Sequence, residues 1–416
     1  MSRRPGVAAA ALAFAGWVCG SVALADEVAA PPRPNILLIL ADDMGYETVG
    51  INGGESYRTP RLDALARSGI RFENAHSTPK CIPSRVTLMT GRYTFRTNSG
   101  RKVLPPSEKT FADVLKRAGY ATAVAGKWQL SRLKKNPSDP VERGFDEYSL
   151  WAWHEGPRYY EPWIWQNGKL LKKEVRDRYG PDWYSRFLID FMEKNRDRPF
   201  VAYYPMTLAH SPDEYEVSRP GGQKSYGEMV EYADLIVGRL IDALDRLGLR
   251  ERTLVIFTAD NGSPDFVQSK IPGKVVSRAR RMLGDTGTHV PFFASWPGTA
   301  PAGTVSAELV DLTDILPTLA ELAGARLPQG VVIDGRSFAP QLQGQPGIRR
   351  AWIFTEWKRK SWIRNARWKL YAEGDFYDLD SDPDEARRLG AGDLDEEGRA
   401  ARRALESALF DLRSRR

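Results

Sequence analysis

Five short apolar runs, at residues 36–40, 121–125, 200–204, 254–258 and 290–295, are too short for buried helices and are flanked by polar or turn residues, so they read as β-strands. Residues 61–68, 110–118, 228–247 and 312–322 instead carry apolar side chains near a 3.6-residue period, the pattern of amphipathic helices. Strands alternating with helices predict an α/β fold, a large and mostly parallel sheet sandwiched by helices. With 416 residues the chain has material for such a domain and a smaller appendage. From residue 336 the pattern changes to Trp- and Tyr-rich runs at 352–357, 362–363 and 368–371, an acidic turn at 380–385 and a charged helical tail. These predict a small C-terminal antiparallel sheet plus helix over 336–416, following a main domain over 26–335. No internal repeat is evident.

The N-terminus reads as an export signal, with Ser2-Arg3-Arg4 ahead of a mostly apolar stretch at 7–22 and a small-residue cleavage site at Ala23-Leu24-Ala25. Residues 1–25 are then a signal peptide and the mature protein is exported, periplasmic or extracellular. Its removal takes Cys19 with it and leaves Cys81 as the only cysteine, so no intrachain disulfide forms. A solitary thiol in an exported protein is buried and inert, paired between chains, or chemically used. Hydrophobic residues make up 42%, and no apolar run beyond the signal is long enough for a bilayer anchor. The net charge of +7 is mild, and no Lys/Arg block with interleaved aromatics argues for nucleic acid.

In open α/β sheets ligands bind beyond the carboxyl ends of strands. The first strand ends in Asp42-Asp43 and a later one in Asp260-Asn261-Gly262. Carboxylates converging there repel one another unless a cation sits between them, and an all-oxygen set suits Ca²⁺ or Mg²⁺, whereas the lack of a His or Cys cluster argues against zinc. Either pair alone reads more simply as a helix cap or an Asx-turn than as a metal site. Between them lies Cys81-Ile82-Pro83-Ser84-Arg85. Pro83 suits a first helical turn, which puts Cys81 at a helix N-terminus where the dipole favours an anion, and Arg85 adds a fork suited to oxyanions.

Cys81-Ile82-Pro83-Ser84-Arg85, followed by Leu88-Met89-Thr90-Gly91-Arg92, resembles the signature of the formylglycine-dependent sulfatases, the arylsulfatase-like branch of the alkaline phosphatase superfamily. The resemblance extends through Asp42-Asp43-Met44-Gly45, Gly126-Lys127-Trp128, Ala209-His210-Ser211-Pro212, Asp260-Asn261-Gly262 and Gly287-Thr288-His289-Val290-Pro291 to Phe376-Tyr377-Asp378-Leu379. It implies a sulfuric ester hydrolase matured by a formylglycine-generating enzyme, with the cysteine oxidised to an aldehyde whose hydrate attacks sulfur. By the same resemblance Asp42, Asp43, Asp260 and Asn261 bind calcium with the modified Cys81. Arg85 holds the hydrate, Lys127 neutralises sulfate oxygens, and His210 is the general acid for the departing alcohol. The substrate is a sulfated small molecule or glycan.

Two positions depart from the family pattern. Gln129 stands where a His commonly follows Lys127-Trp128, and an amide cannot take a proton. The family's leaving-group lysine corresponds to Arg280, with Lys274 nearby, and an arginine there is a clamp rather than an acid. His76, His154 and His289 read as structural. The aromatic stretch 151–165 serves equally as sugar-stacking surface or core. A phosphodiester or phosphonate monoester hydrolase with the same nucleophile is the nearest alternative enzyme, and a non-catalytic glycan-binding relative is the alternative outside catalysis.

Overall fold

A computed structural model describes Met1 and residues 33–97, 103–210, 220–277 and 282–414. The chain forms two units, Met1–Pro32 and Arg33–Arg416, and every described residue except Met1 belongs to the second. The signal-peptide and cleavage-site expectations, Cys19, Ser211-Pro212 and Arg280 lie outside the described residues.

Four of the apolar runs become strands buried at every position: β1 (Asn35–Ala41), β3 (Ala121–Gly126), β7 (Phe200–Pro205) and β8 (Thr253–Ala259). Such continuous burial is what a parallel strand covered on both faces requires. With β2 (Ile70–His76), β4 (Glu147–Trp151), β5 (Ile164–Gln166), β6 (Lys169–Leu171), β11 (Phe292–Ser295) and β12 (Thr304–Asp311) they build one ten-stranded sheet, ordered β12-β2-β11-β8-β1-β7-β3-β4-β5-β6. Its centre, β8-β1-β7-β3-β4, is parallel throughout. The fifth run departs from expectation. Its strand begins only at Phe292, since Pro291 has no N–H for a ladder, and it runs antiparallel to both β8 and β2. Between β8 and β11, β9 (Gln268–Ile271) and β10 (Lys274–Ser277) form a two-stranded ribbon.

Helices pack in two groups: α1 (Pro60–Arg67) with the helices Gly180–Lys194 and Tyr226–Arg246, and α2 (Cys81–Thr90) with α3 (Phe111–Arg117) and Ile315–Leu322. α3 opens on a capping box, in which Thr110 Oγ1 accepts from Asp113 N while the Asp113 carboxylate accepts from Thr110 N. The C-terminal part is a separate antiparallel sheet of β13 (Ile353–Trp357), β14 (Lys360–Arg364), β15 (Trp368–Tyr371) and β16 (Phe376–Asp378). Phe354, Ile363 and Trp368 of this sheet share a core with Leu405, Leu409 and Leu412 of the helix Glu396–Ser414. Among the described residues no helix is long and apolar enough to cross a membrane.

Candidate active site

The parallel centre of the sheet aims the chain after β1, β3, β7 and β8 at one edge. Asp42 and Asp43 follow β1, Lys127 follows β3, His210 lies five residues past β7, and Asp260 and Asn261 follow β8. Backbone bonds fix these exits. Asp42 N donates to Leu208 O and Ala209 N to Asp42 O, both at 2.8 Å, while Asp260 N donates to Ala41 O at 3.0 Å. Gly126 lets Lys127 turn into the site: at φ 119° a Cβ would stand 2.1 Å from Pro205 O, and Lys127 N donates to that carbonyl at 2.7 Å. Cys81 is the first residue of α2, after Lys80 as N-cap, and is buried.

Donor atoms of Asp42, Asp43, Cys81 and Asp260 all lie within 4.8 Å of one another. Lys127 Nζ donates to both oxygens of Asp42 at 2.6 and 2.7 Å. Arg85 donates to Asp260 Oδ2 at 2.7 Å and lies 3.5 Å from Asp42 Oδ1. Asp260 Oδ1 accepts from Asp43 N at 3.0 Å, and Asn261 Nδ2 donates to Asp43 Oδ1 at 2.6 Å. Cys81 Sγ stands 3.6 Å from Asp43 Oδ1, and His210 Nε2 stands 3.7 Å from Asp43 Oδ2.

The charges oppose one another in this dry space. Burial alone would raise the Asp42 carboxyl, but Lys127, Arg158, His210 and Arg85 outweigh it and hold the group well below the usual range. Asp260 goes the other way, pushed up by burial and then by the Asp42 charge, with Arg85 and Lys127 opposing. The Cys81 thiol is pushed far up by burial and the Asp260 charge, so the encoded thiol is a poor thiolate. Three carboxylates face three cations, Arg85, Lys127 and Arg158. A dication and an anionic ester therefore enter together at less electrostatic cost than either alone.

Arg158 carried no sequence signal. It sits in the aromatic stretch, buried, with its guanidinium over the rings of Trp151 and Tyr159 at 5.0 and 5.1 Å. From there Nη2 reaches Asp42 Oδ2 and, at 2.6 Å, the Thr207 carbonyl. Tyr226 was also missed; its hydroxyl donates to Asp43 O at 2.6 Å and steadies the turn after β1. Gln129 is adjacent in sequence; its backbone is left-handed at φ 56°, and among the described residues its buried Oε1 has no hydrogen-bond partner. Lys274 is on β10 and pairs with Asp384. The histidine pair stacks, His76 on His289 at 5.1 Å, with His289 Nε2 against Glu73 O at 2.6 Å, which fits the structural reading of both. His154 lies on the Trp153 ring at 4.1 Å.

The family model for sulfatases matches residues 34–325, and the model for the C-terminal part of N-sulphoglucosamine sulphohydrolase matches 278–414. The chain belongs to the sulfatase family. Among its relatives, arylsulfatase A of Bos taurus is 36% identical over 371 residues, spanning 80% of this chain and 72% of that one. N-acetylgalactosamine-6-sulfatase of Canis lupus familiaris is 32% identical over 364 residues, 76% of this chain and 67% of that one. The solved structure of Ps i-CgsB in complex with k-i-k-neocarrahexaose superposes with a TM-score of 0.73 at 27% identity, covering 86% of this chain and 88% of that one. The sulfatase reaction is the hydrolysis of sulfate esters, and among the described residues the cluster at the sheet edge brings cations and carboxylates together in a buried setting.

Proposed function

We propose that this sulfatase acts through formylglycine formed from Cys81, with a calcium ion held by Asp42, Asp43, Asp260 and Asn261. The supporting observation is the placement of Cys81, at the mouth of a helix and within 4.8 Å of three buried carboxylates. The donor set fits the ion: it is rich in oxygen, and among the described residues the buried Asn261 Oδ1 has no hydrogen-bond partner. When bound, the ion supplies Lewis acidity toward a sulfate oxygen, and the aldehyde hydrate supplies the nucleophilic oxygen.

The side chains divide the remaining work. Arg85, tied at once to Asp260 and to the Lys127 carbonyl at 2.8 Å, cannot swing away and orients the residue-81 side chain one turn before it. Lys127 has both Asp42 oxygens to hold it in place while its ammonium faces the sulfuryl group. His210 is the described group best able to give a proton to the leaving alcohol, since its Nε2 is near Asp43 and its side chain is 21% exposed, on the solvent side of the cluster. Gln129 orients sulfate without taking a proton. Arg280 acts as an electrostatic clamp on the leaving group.

The substrate class we favour is a sulfated glycan, on the analogy of the oligosaccharide bound by Ps i-CgsB. We also place the end of the catalytic domain near residue 335, ahead of the four-stranded sheet that starts at Ile353, and assign the protein to an exported compartment. The deciding experiment is the mass of the tryptic peptide Cys81-Ile82-Pro83-Ser84-Arg85 from protein made with the maturation enzyme. It should lack one sulfur and two hydrogens and carry one extra oxygen; an unmodified thiol in an active preparation would falsify the assignment. Chelation should abolish turnover of 4-nitrophenyl sulfate and Ca²⁺ restore it, with Asp260→Ala losing both metal and turnover; full activity without metal sinks the ion's role.

A further inference from the structure

A cavity of about 1280 Å³ lies against the first turn of α2. It is lined by Lys80, Ile82 and Pro83, the chain on either side of Cys81, and by the tip of the β13–β14 hairpin. Small-molecule sites typically measure roughly 300–1,000 Å³, so an aryl sulfate leaves much of this space unfilled.

The lining carries both signs of charge, and its cations are gathered on the hairpin. Of its four carboxylates, Asp375 pairs with Arg388 at 2.9 Å and Glu385 with the buried Lys369 at 2.6 Å, Glu356 accepts from Thr94 Oγ1 at 2.9 Å, and Glu373 is exposed. The hairpin cations are not so engaged. Lys358, Arg359 and Lys360 are exposed, and among the described residues their side chains have no ion-pair partner. Between the paired residues Trp357 and Lys360, Lys358 adopts φ 59°, a left-handed conformation for which a two-residue turn ordinarily selects glycine or asparagine. The turn keeps a long cationic side chain at the cavity wall in spite of that preference, as backbone strain at binding sites often does. Trp357, over which Lys80 Nζ lies at 5.8 Å, adds an aromatic face to the lining.

We propose that this cavity is a second subsite, which holds the part of a sulfated oligosaccharide beyond the scissile ester and recognises a further sulfate or carboxylate through Lys358, Arg359 and Lys360. The inference rests on the sulfated-glycan reading of the same site. Ammonium and guanidinium groups on one turn meet an anion from several directions, and the guanidinium adds a bidentate contact.

The test compares the matured enzyme with a Lys358→Gln/Arg359→Gln/Lys360→Gln variant. Hexasaccharides of heparin, chondroitin 6-sulfate and κ-carrageenan are titrated calorimetrically and then used as inhibitors of 4-nitrophenyl sulfate turnover. At least one hexasaccharide should bind the parent enzyme, and the variant should weaken it tenfold or more beyond any change in the KM for 4-nitrophenyl sulfate, with a shallower dependence on salt. Lys358→Gly, which relieves the turn while removing a cation, should raise the unfolding midpoint and still weaken the hexasaccharide. The proposal is overturned if none of the three binds below 1 mM, if the triple variant weakens hexasaccharide and aryl ester equally, or if Lys358→Gly leaves binding intact. Absence of aryl sulfate turnover in protein carrying the residue-81 aldehyde would count against the reaction itself, independently of the binding result.

Discussion

Asp42 carries three cations on its carboxylate, Lys127, Arg158 and Arg85. Truncating one partner of a buried ion pair costs about 3–5 kcal/mol when nothing replaces it. Because two cations remain, Arg158→Met should cost about 3 kcal/mol, the low end of that range, measured as the shift in urea unfolding with Ca²⁺ present. An unmoved midpoint would mean that Lys127 and Arg85 alone balance Asp42. At His210 the expected effect is on chemistry. A nitrophenolate leaves without protonation, so His210→Ala should reduce kcat on sugar sulfates far more than on 4-nitrophenyl sulfate. Equal losses would make His210 a structural residue. The acids, Cys81 and Arg85 were legible because they stand at strand ends or in one short motif. Arg158 was not, because a lone arginine among aromatics has no local pattern and its contact with Asp42 spans 116 residues.

Among the elements, α2 presents Cys81 at one end and is fixed at the other by Gly91, whose φ of 66° is left-handed and whose carbonyl accepts from Asp334 N and Gly335 N at 2.9 and 3.1 Å. A Cβ there would sit 3.1 Å from Leu316 Cβ and 3.3 Å from Ile333 Cγ2. Gly91→Ala should therefore lose about 1–2 kcal/mol from the left-handed backbone alone, read from denaturant midpoints at unchanged m. No loss would show that α2 can end elsewhere. Sequence pattern located β1, β3, β7 and β8 because burial on both faces leaves an unbroken apolar run, and it passed over β4, where Glu147 and Ser149 break the run. It did not single out β2, whose Arg71, Glu73 and Asn74 interrupt the run, nor β12, whose first half is partly exposed. Strand direction was equally hidden for β11, since periodicity does not encode which way a strand enters the sheet.

At the scale of the whole molecule, the C-terminal sheet meets the main sheet through buried charge. Arg364 on β14 and Lys369 on β15 both reach Asp285, at 2.9 Å each, in the short helix Asp285–Thr288. Gly287 in that helix accepts at 3.0 Å from Gly262 N, directly after Asp260 and Asn261, so the second sheet braces the candidate site. His76 lies within this junction. Its Nδ1 is 3.3 Å from Thr288 Oγ1 and its Nε2 is 3.3 Å from Arg364 Nη1. Arginine can only donate, so Nε2 accepts and the ring is neutral, with its proton on Nδ1 toward Thr288. Burial lowers His76 well below its ordinary value, Asp285 opposes, and Arg364, His289 and Lys369 reinforce the shift; His289 is lowered too, again chiefly by burial. The linkage has a definite sign. Below about pH 6.5 the unfolded chain takes up protons that the folded junction refuses, so this stability is fully present above that value and is lost as pH falls toward the lowered folded-state values. Each such histidine steepens the decline by up to about 1.4 kcal/mol per pH unit. Over pH 7 to 5 the histidines act against Asp260, Asp234 and Asp311, whose raised carboxyls take up protons in the folded state and slow the decline, so the junction is read from the difference between parent and variant slopes. His76→Gln, which retains a carbonyl for Arg364 but cannot titrate, should remove close to one proton from that slope. If the slope is unchanged, His76 takes up its proton in the folded state, Arg364 does not hold it neutral, and the junction is not the source of the acid sensitivity.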